Sequence, residues 1–189
     1  MILEPYFYLI AVVSVFLHGM GKGGFIGAGS FGSLLAIPML SIFIPPFQAV
    51  AILLLPLIFM DLVTVWRYRW MWDKEILKFI VPLAFLGIVI GTLSFSYLSE
   101  DSVRVIIGLM AVIFCLDYYL RKNSTEPRKP SFWGSYFWPS LSGFTSFSIH
   151  AGGLPLSFYL LPMRLDRRIY VATAGLFYLL INLFKIFPY

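Results

Sequence analysis

Hydrophobic positions in this chain come in long blocks rather than in alternation with polar ones. No Asp, Glu, Lys or Arg occurs at 23–60, 79–99, 130–163 or 169–184. A hydrocarbon core about 30 Å thick is crossed by roughly 20 apolar residues in helical form, so several blocks are long enough to span a bilayer. The pattern predicts helices at about 6–20, 47–66, 77–98, 103–120, 133–149 and 169–187. Two shorter apolar pieces, 31–44 and 154–162, each follow glycine-containing sequence. The predicted fold class is therefore all-α: a polytopic transmembrane helical bundle with glycine-broken or re-entrant helices.

Composition sharpens this reading. Of 189 residues, 60% are hydrophobic and 12% charged, about half the charge of an ordinary soluble domain. A soluble enzyme, a nucleic-acid binder and a secreted disulfide scaffold are excluded. Cys115 alone supplies no internal disulfide and no cysteine-based metal site. The net charge of +5 bears on orientation in the membrane. The first residues carry no Lys or Arg, so the first apolar segment is expected to be retained rather than cleaved as a leader. The loops at 67–74 and 121–129 are basic and that at 99–102 is acidic. The positive-inside rule puts both basic loops in the cytoplasm, two spans apart, in a multi-pass membrane protein. Trp66, Trp70, Trp72, Trp133 and Trp138 flank these loops as an interfacial belt.

The polar linker at 121–130 divides the chain into two parts, 1–124 and 125–189. Shifting one against the other by 124 positions aligns Gly19 with Gly143, Gly29 with Gly153, Ser33 with Ser157, Pro38 with Pro162 and Met39 with Met163. Both copies then follow one plan: helix, break, short apolar helix, turn, long helix. Structural repeats with interrupted helices are a recurring design of secondary transporters, with the substrate site between the repeats. A second copy of 77–120 would fall beyond residue 189, so the second repeat is expected to be incomplete, in a shortened product or a fragment. Arg164, Arg167 and Arg168 favour inverted repeats if the broken segments return to one face; an even number of spans per unit favours parallel ones.

The breaks direct attention to a site. Seven of the fifteen glycines lie at 19–32. Glycine costs a helix about 1 kcal/mol per residue relative to alanine, and unwound backbone survives at membrane depth only where protein or a watery cavity covers it. Free amides at a helix start favour anions. Lys22 inside this run, and Ser148, His150, Gly152 and Gly153 in the corresponding stretch, add charge and hydroxyls. Small-residue packing between helices is the competing explanation for the glycines, as snorkelling is for Lys22. The predicted substrate-binding set is Lys22, Gly23, Gly24, Gly27, Gly29, Ser148, His150, Gly152, Gly153 and Asn182. His150, whose side-chain type titrates near neutrality, and Asp61 are the candidates for proton coupling, with His18 a weaker one. Asp61 and Lys185 fall at equivalent positions of the two copies. No metal or cofactor is expected; the partners are the lipid bilayer, a small anionic substrate and protons, with no nucleic acid.

Several segments also resemble the TauE/SafE sulfite exporter family: Gly21-Lys22-Gly23-Gly24-Phe25, Pro45-Pro46 before Ala49-Val50, Trp66-Arg67-Tyr68-Arg69, His150-Ala-Gly-Gly-Leu-Pro155 with Tyr159-Leu-Leu-Pro162, and Asn182-Leu-Phe-Lys185-Ile-Phe-Pro188-Tyr189. The resemblance runs from about Phe16 to the end. Ser30-Phe31-Gly32 and Leu154 depart from the family's tighter glycine cluster and second proline. The resemblance implies an inner-membrane exporter of sulfite or organosulfonates built from a duplicated four-helix unit, and not an enzyme. With the glycine and lysine motifs it gives an alternating-access transporter, possible coupling to protons included. The alternative is a passive anion channel; a His150-dependent membrane transferase is less favoured, since HExxH, GxSxG and paired intramembrane aspartates are lacking.

Overall fold

The computed structural model describes residues 5–22, 36–94 and 131–187, with positions 102, 105, 108, 109, 112, 116 and 119 between them. The described residues are all-α. The helices are α1 (Pro5–Lys22), α2 (Pro46–Arg67), α3 (Lys74–Ser94), α4 (Phe132–Ile149), α5 (Gly153–Leu160) and α6 (Arg167–Phe184), with a 3-10 turn at Leu161–Met163. Residues 36–40 are helical as well, and the seven isolated positions are helical and exposed.

Helix starts are set by side-chain caps that hydrophobic periodicity does not register. Asp73 accepts from the Ile76 amide at 3.0 Å ahead of α3, Ser131 from Gly134 at 3.2 Å ahead of α4, and Asp166 from Arg168 at 2.8 Å ahead of α6. These oxygens satisfy amides that have no partner inside the helix. Helix α3 accordingly begins three residues before the predicted start at 77.

Contacts in sequence order give the helix directions. Phe7 packs on Phe43 with ring centroids 6.2 Å apart, Gly19 lies beside Met60 and Lys22 meets Asp61, so α1 and α2 run the same way. Asp61 meets Asn182 and Thr64 meets Gly175, so α2 and α6 are antiparallel. Phe79 meets Tyr136, Ala84 meets Gly143, and Gly91 meets Phe147, so α3 and α4 are parallel. The Asp73 amide donates to Thr173 Oγ at 2.9 Å and Phe85 stacks on Phe184 at 4.5 Å, which aligns α3 with α6. Helices α3, α4 and α6 therefore start at one end of the bundle, the end where α2 stops. Arg67, Arg69, Lys74, Arg164, Arg167 and Arg168 gather there.

Glycine sets the α3–α4 crossing. A Cβ on Gly87 would collide with the Ser140 carbonyl, and one on Gly143 with the Ala84 carbonyl. The two backbones touch, as small residues permit in membrane helices. Around α5 the apolar interior forms two groups. Leu154 and Phe158 pack with Phe7, Val50, Leu53 and their neighbours, whereas Leu156, Tyr159 and Leu160 pack with Ile80, Ala84, Phe177 and Ile181. A short helix apolar on all sides is stable only when enclosed in this way.

Polarity is distributed the wrong way for water. Leu55, Phe59, Leu86, Leu93 and Phe16 are exposed, while Asp61, Lys185, Thr145, Thr173 and Asn182 are buried. Residues 48–67 and 74–94 are apolar and long enough to cross a membrane. Trp66, Trp70 and Trp133 are exposed near the basic end, as a belt requires. Trp138 differs: it stacks on Phe158 at 4.6 Å and is partly buried in the interior, because it sits nearly two turns into α4. Cys115 lies outside the described residues.

Candidate functional site

Two polar clusters occupy the interior, and both are built on α6. Tyr178, Asn182 and Lys185 share one face of that helix at spacings of four and three. The first cluster joins α1, α2 and α6. Asp61, fully buried, forms an ion pair with Lys22 and accepts from Asn182 Nδ2 at 2.6 Å on its other oxygen. The Lys22 ammonium lies 4.7 Å from the centroid of the Tyr178 ring, a cation–π distance. Both carboxylate oxygens are thus engaged, which offsets the cost of taking the charge from water.

The second cluster joins α4, α6 and α2. Lys185, also fully buried, donates to the Ser146 carbonyl at 2.9 Å and to Ser146 Oγ at 3.1 Å. Its Nζ is 2.9 Å from His150 Nδ1. The other ring nitrogen, Nε2, donates to the Val50 carbonyl at 2.8 Å. Because a carbonyl only accepts, Nε2 carries a proton. His150 ends α4 in the left-handed conformation, with φ 52°, a geometry that costs a residue with a side chain about 1 kcal/mol. Its side-chain contacts hold it there. The amides of His150 and Ala151 close the helix on the Ser146 and Thr145 carbonyls, each at 3.2 Å.

The clusters adjoin on α6, where Asn182 and Lys185 are one turn apart. Among the described residues the interior holds two lysines and one carboxylate. With both lysines protonated and His150 neutral, the site would carry one net positive charge.

Most of the predicted set that lies in the described residues is brought together. Lys22, Asp61 and Asn182 form the first cluster and His150 anchors the second. Gly153 is near Tyr178, whose hydroxyl oxygen would be 3.6 Å from an added Cβ. Gly152 serves the tight approach of its turn to α4: a Cβ there would lie 2.7 Å from the Ser142 carbonyl oxygen, and Ser142 Oγ donates to the Gly152 carbonyl at 2.7 Å. Ser148 turns back to its own helix, donating to the Phe144 carbonyl at 3.0 Å; Ser146, two residues earlier, is the hydroxyl that reaches the cluster. Gly23, Gly24, Gly27 and Gly29 lie outside the described residues. His18 bonds through Nδ1 to the Ser14 carbonyl at 3.2 Å. Lys185, Ser146 and Tyr178, which the sequence reading left out of the substrate-binding set, also take part in the two clusters. The polar stripe at 178, 182 and 185 in the apolar second half of α6 was the available signal.

The model of the sulfite exporter TauE/SafE family matches residues 11–189. The chain belongs to the TauE/SafE sulfite exporter family. Membership makes it a polytopic membrane protein and a transporter rather than an enzyme, and implies export of sulfite or organosulfur anions. No curated protein and no solved structure matches the chain significantly.

Proposed function

We propose that this TauE/SafE member is a secondary transporter that moves sulfite or a small organosulfonate out of the cell by alternating access around the interior clusters. The burial of two lysines, Lys22 and Lys185, against a single carboxylate, Asp61, among the described residues is the observation that carries the reading. An uncompensated cation at membrane depth costs a few kcal/mol, and a bound monoanion removes that cost. Lys22, Lys185, Ser146, His150 and Asn182 lie in the two adjoining clusters, where an anion would compete with Asp61 and Ser146 for the lysine hydrogens, and the amides of Gly23, Gly24, Gly27 and Gly29 are proposed to complete the site from the glycine-rich segment.

An internal repeat supports alternating access. The Lys22–Asp61 and Ser146–Lys185 contacts each join residues 39 positions apart, and a shift of 124 positions carries one pair onto the other. The equivalent helices run in opposite directions: α1 and α2 one way, α4 and α6 the other. The repeats are therefore inverted in this reading, with Arg164, Arg167 and Arg168 on the cytoplasmic face beside Arg67 and Arg69. Inverted units around a shared site are what a rocking transporter uses to open to each side in turn.

Proteoliposomes loaded without a sulfite gradient and given an imposed pH gradient test the mechanism. A coupled transporter accumulates sulfite against its gradient, and Lys22→Ala abolishes the accumulation. Flux that only dissipates an existing sulfite gradient, unaffected by the pH gradient, makes the protein the passive anion channel instead.

A further inference from the structure

We infer that His18 selects the hydrogen-bearing form of the substrate: its bare Nε2 accepts the hydrogen of hydrogensulfite, so the anion crosses with its own proton attached. The inference rests on the anion-transport reading above and narrows the substrate class from sulfite and organosulfonates to an oxyanion that still carries a hydrogen.

The two nitrogens of the His18 ring carry the argument. Ser14, His18 and Lys22 follow one another at spacings of four on α1, so they share one face of that helix. Ser14 and His18 are buried, and Lys22 at the end of the row pairs with Asp61. Nδ1 of His18 lies 3.2 Å from the Ser14 carbonyl. A carbonyl only accepts, so Nδ1 holds a hydrogen, and a neutral ring then has its lone pair on Nε2. Ser14 Oγ in turn donates to the Ala36 carbonyl at 3.3 Å, which ties this part of α1 to the helical stretch at 36–40. Nε2 is shielded from solvent and, among the described residues, meets no hydrogen-bond partner. An unmet acceptor in a buried setting is costly, and native structures rarely leave one without a reason.

The missing partner is a donor. The charged and titratable groups around the ring are Lys22 on its own helix, Lys185 on α6 and His150 on α4, with Asp61 of α2 held by Lys22 and Asn182. Both lysines donate elsewhere, Lys22 to Asp61 and Lys185 to Ser146. An anion held by these lysines lies beside the ring, with an oxygen toward Nε2. A sulfite dianion or a sulfonate brings only lone pairs to that position, and lone pair then faces lone pair. Hydrogensulfite in its hydroxyl form differs by one hydrogen, which it donates to Nε2 while its other oxygens accept from the lysines. A site built to hydrogen-bond such a hydrogen strongly rejects the analogue lacking it, because its own polar group is left unpaired. The O–H bond stays intact, so each anion takes one proton with it, and flux couples to the pH gradient without titration of a protein group.

Sulfite and methanesulfonate flux into proteoliposomes tests this, at fixed total anion, with equal pH on both sides and pH raised from neutral, after subtraction of flux into protein-free liposomes. Methanesulfonate is the control because it carries no acidic hydrogen over this range. The expected result is that wild-type sulfite flux falls about tenfold for each unit rise in pH once hydrogensulfite is the minor form. Methanesulfonate should be carried more slowly than sulfite at neutral pH, or not at all, and without that slope. His18→Phe, which keeps a ring and lacks the acceptor, should lose both the slope and the preference for sulfite. Wild-type sulfite flux that is flat with pH, or a fall shared equally by methanesulfonate, overturns the inference and leaves the anion reading standing. A His18→Phe protein that keeps the wild-type slope and preference overturns it as well, and should that variant not fold, the wild-type comparison decides alone. No flux of either anion through the wild-type protein overturns the anion reading, and the inference with it.

Discussion

At Asp61 a buried carboxylate is held by a lysine and an amide at once, and the physical consequence lies in what remains when one partner is removed. Asp61→Asn keeps a polar group opposite Asn182 but strands the Lys22 charge. Breaking a buried ion pair from one side costs about 3–5 kcal/mol. Asp61→Asn should therefore lower the unfolding temperature in detergent sharply, while the double variant Asp61→Asn with Lys22→Met should recover most of the loss. A double variant as unstable as the single one would show that the pair is not the source of the effect. His150 makes a second point at this scale. Its residue type suggested a titrating group at the break, but a side chain it meets there is that of Lys185, 35 positions away in sequence. Only folding brings these together, so the tautomer and the partner were not legible from the residue itself.

At the scale of elements, most helices were visible in the blocks of apolar residues, because a membrane span needs a minimum length free of charge. Their starts were less visible: Asp73, Ser131 and Asp166 act through single hydrogen bonds that leave no hydrophobic signature. The short helix α5 was visible only as an apolar piece after two glycines; that it is enclosed between two apolar groups depends on α2, α3 and α6 arriving around it. Glycine roles divide in the same way. Gly143 entered the repeat alignment, and the structure shows it as the point where α4 meets α3. Gly143→Ala forces a Cβ into the Ala84 carbonyl and should destabilise the fold by about 1–3 kcal/mol through overpacking. Gly108→Ala, with none of the described residues within 4 Å of the added carbon, serves as its control in the same melting experiment. Equal melting temperatures for the two variants would contradict the close α3–α4 crossing.

At the scale of the whole molecule, the question left open by the sequence was whether the two halves are parallel or inverted. Charge pattern and span count pointed in different directions, since neither records which helix lies against which. Antiparallel contact of α2 with α6, and the shared starting end of α3, α4 and α6, place Arg69 and Asp166 at one end of the bundle. In a Cys115→Ser background, single cysteines at Arg69→Cys and Asp166→Cys should react with an impermeant reagent from the same side of inverted or right-side-out vesicles. Labelling of the two from opposite sides would rule out the inverted arrangement.

The central claim is that interior lysines of this TauE/SafE protein hold the anion during transport. Sulfite flux into proteoliposomes containing Lys185→Gln or Lys185→Arg, at matched protein content and with folding checked by size-exclusion elution, tests it most directly. The expected result is a loss of at least about tenfold in Lys185→Gln, the scale of a charged hydrogen bond, with substantial recovery in Lys185→Arg, which keeps the charge. Wild-type flux in Lys185→Gln would contradict the account.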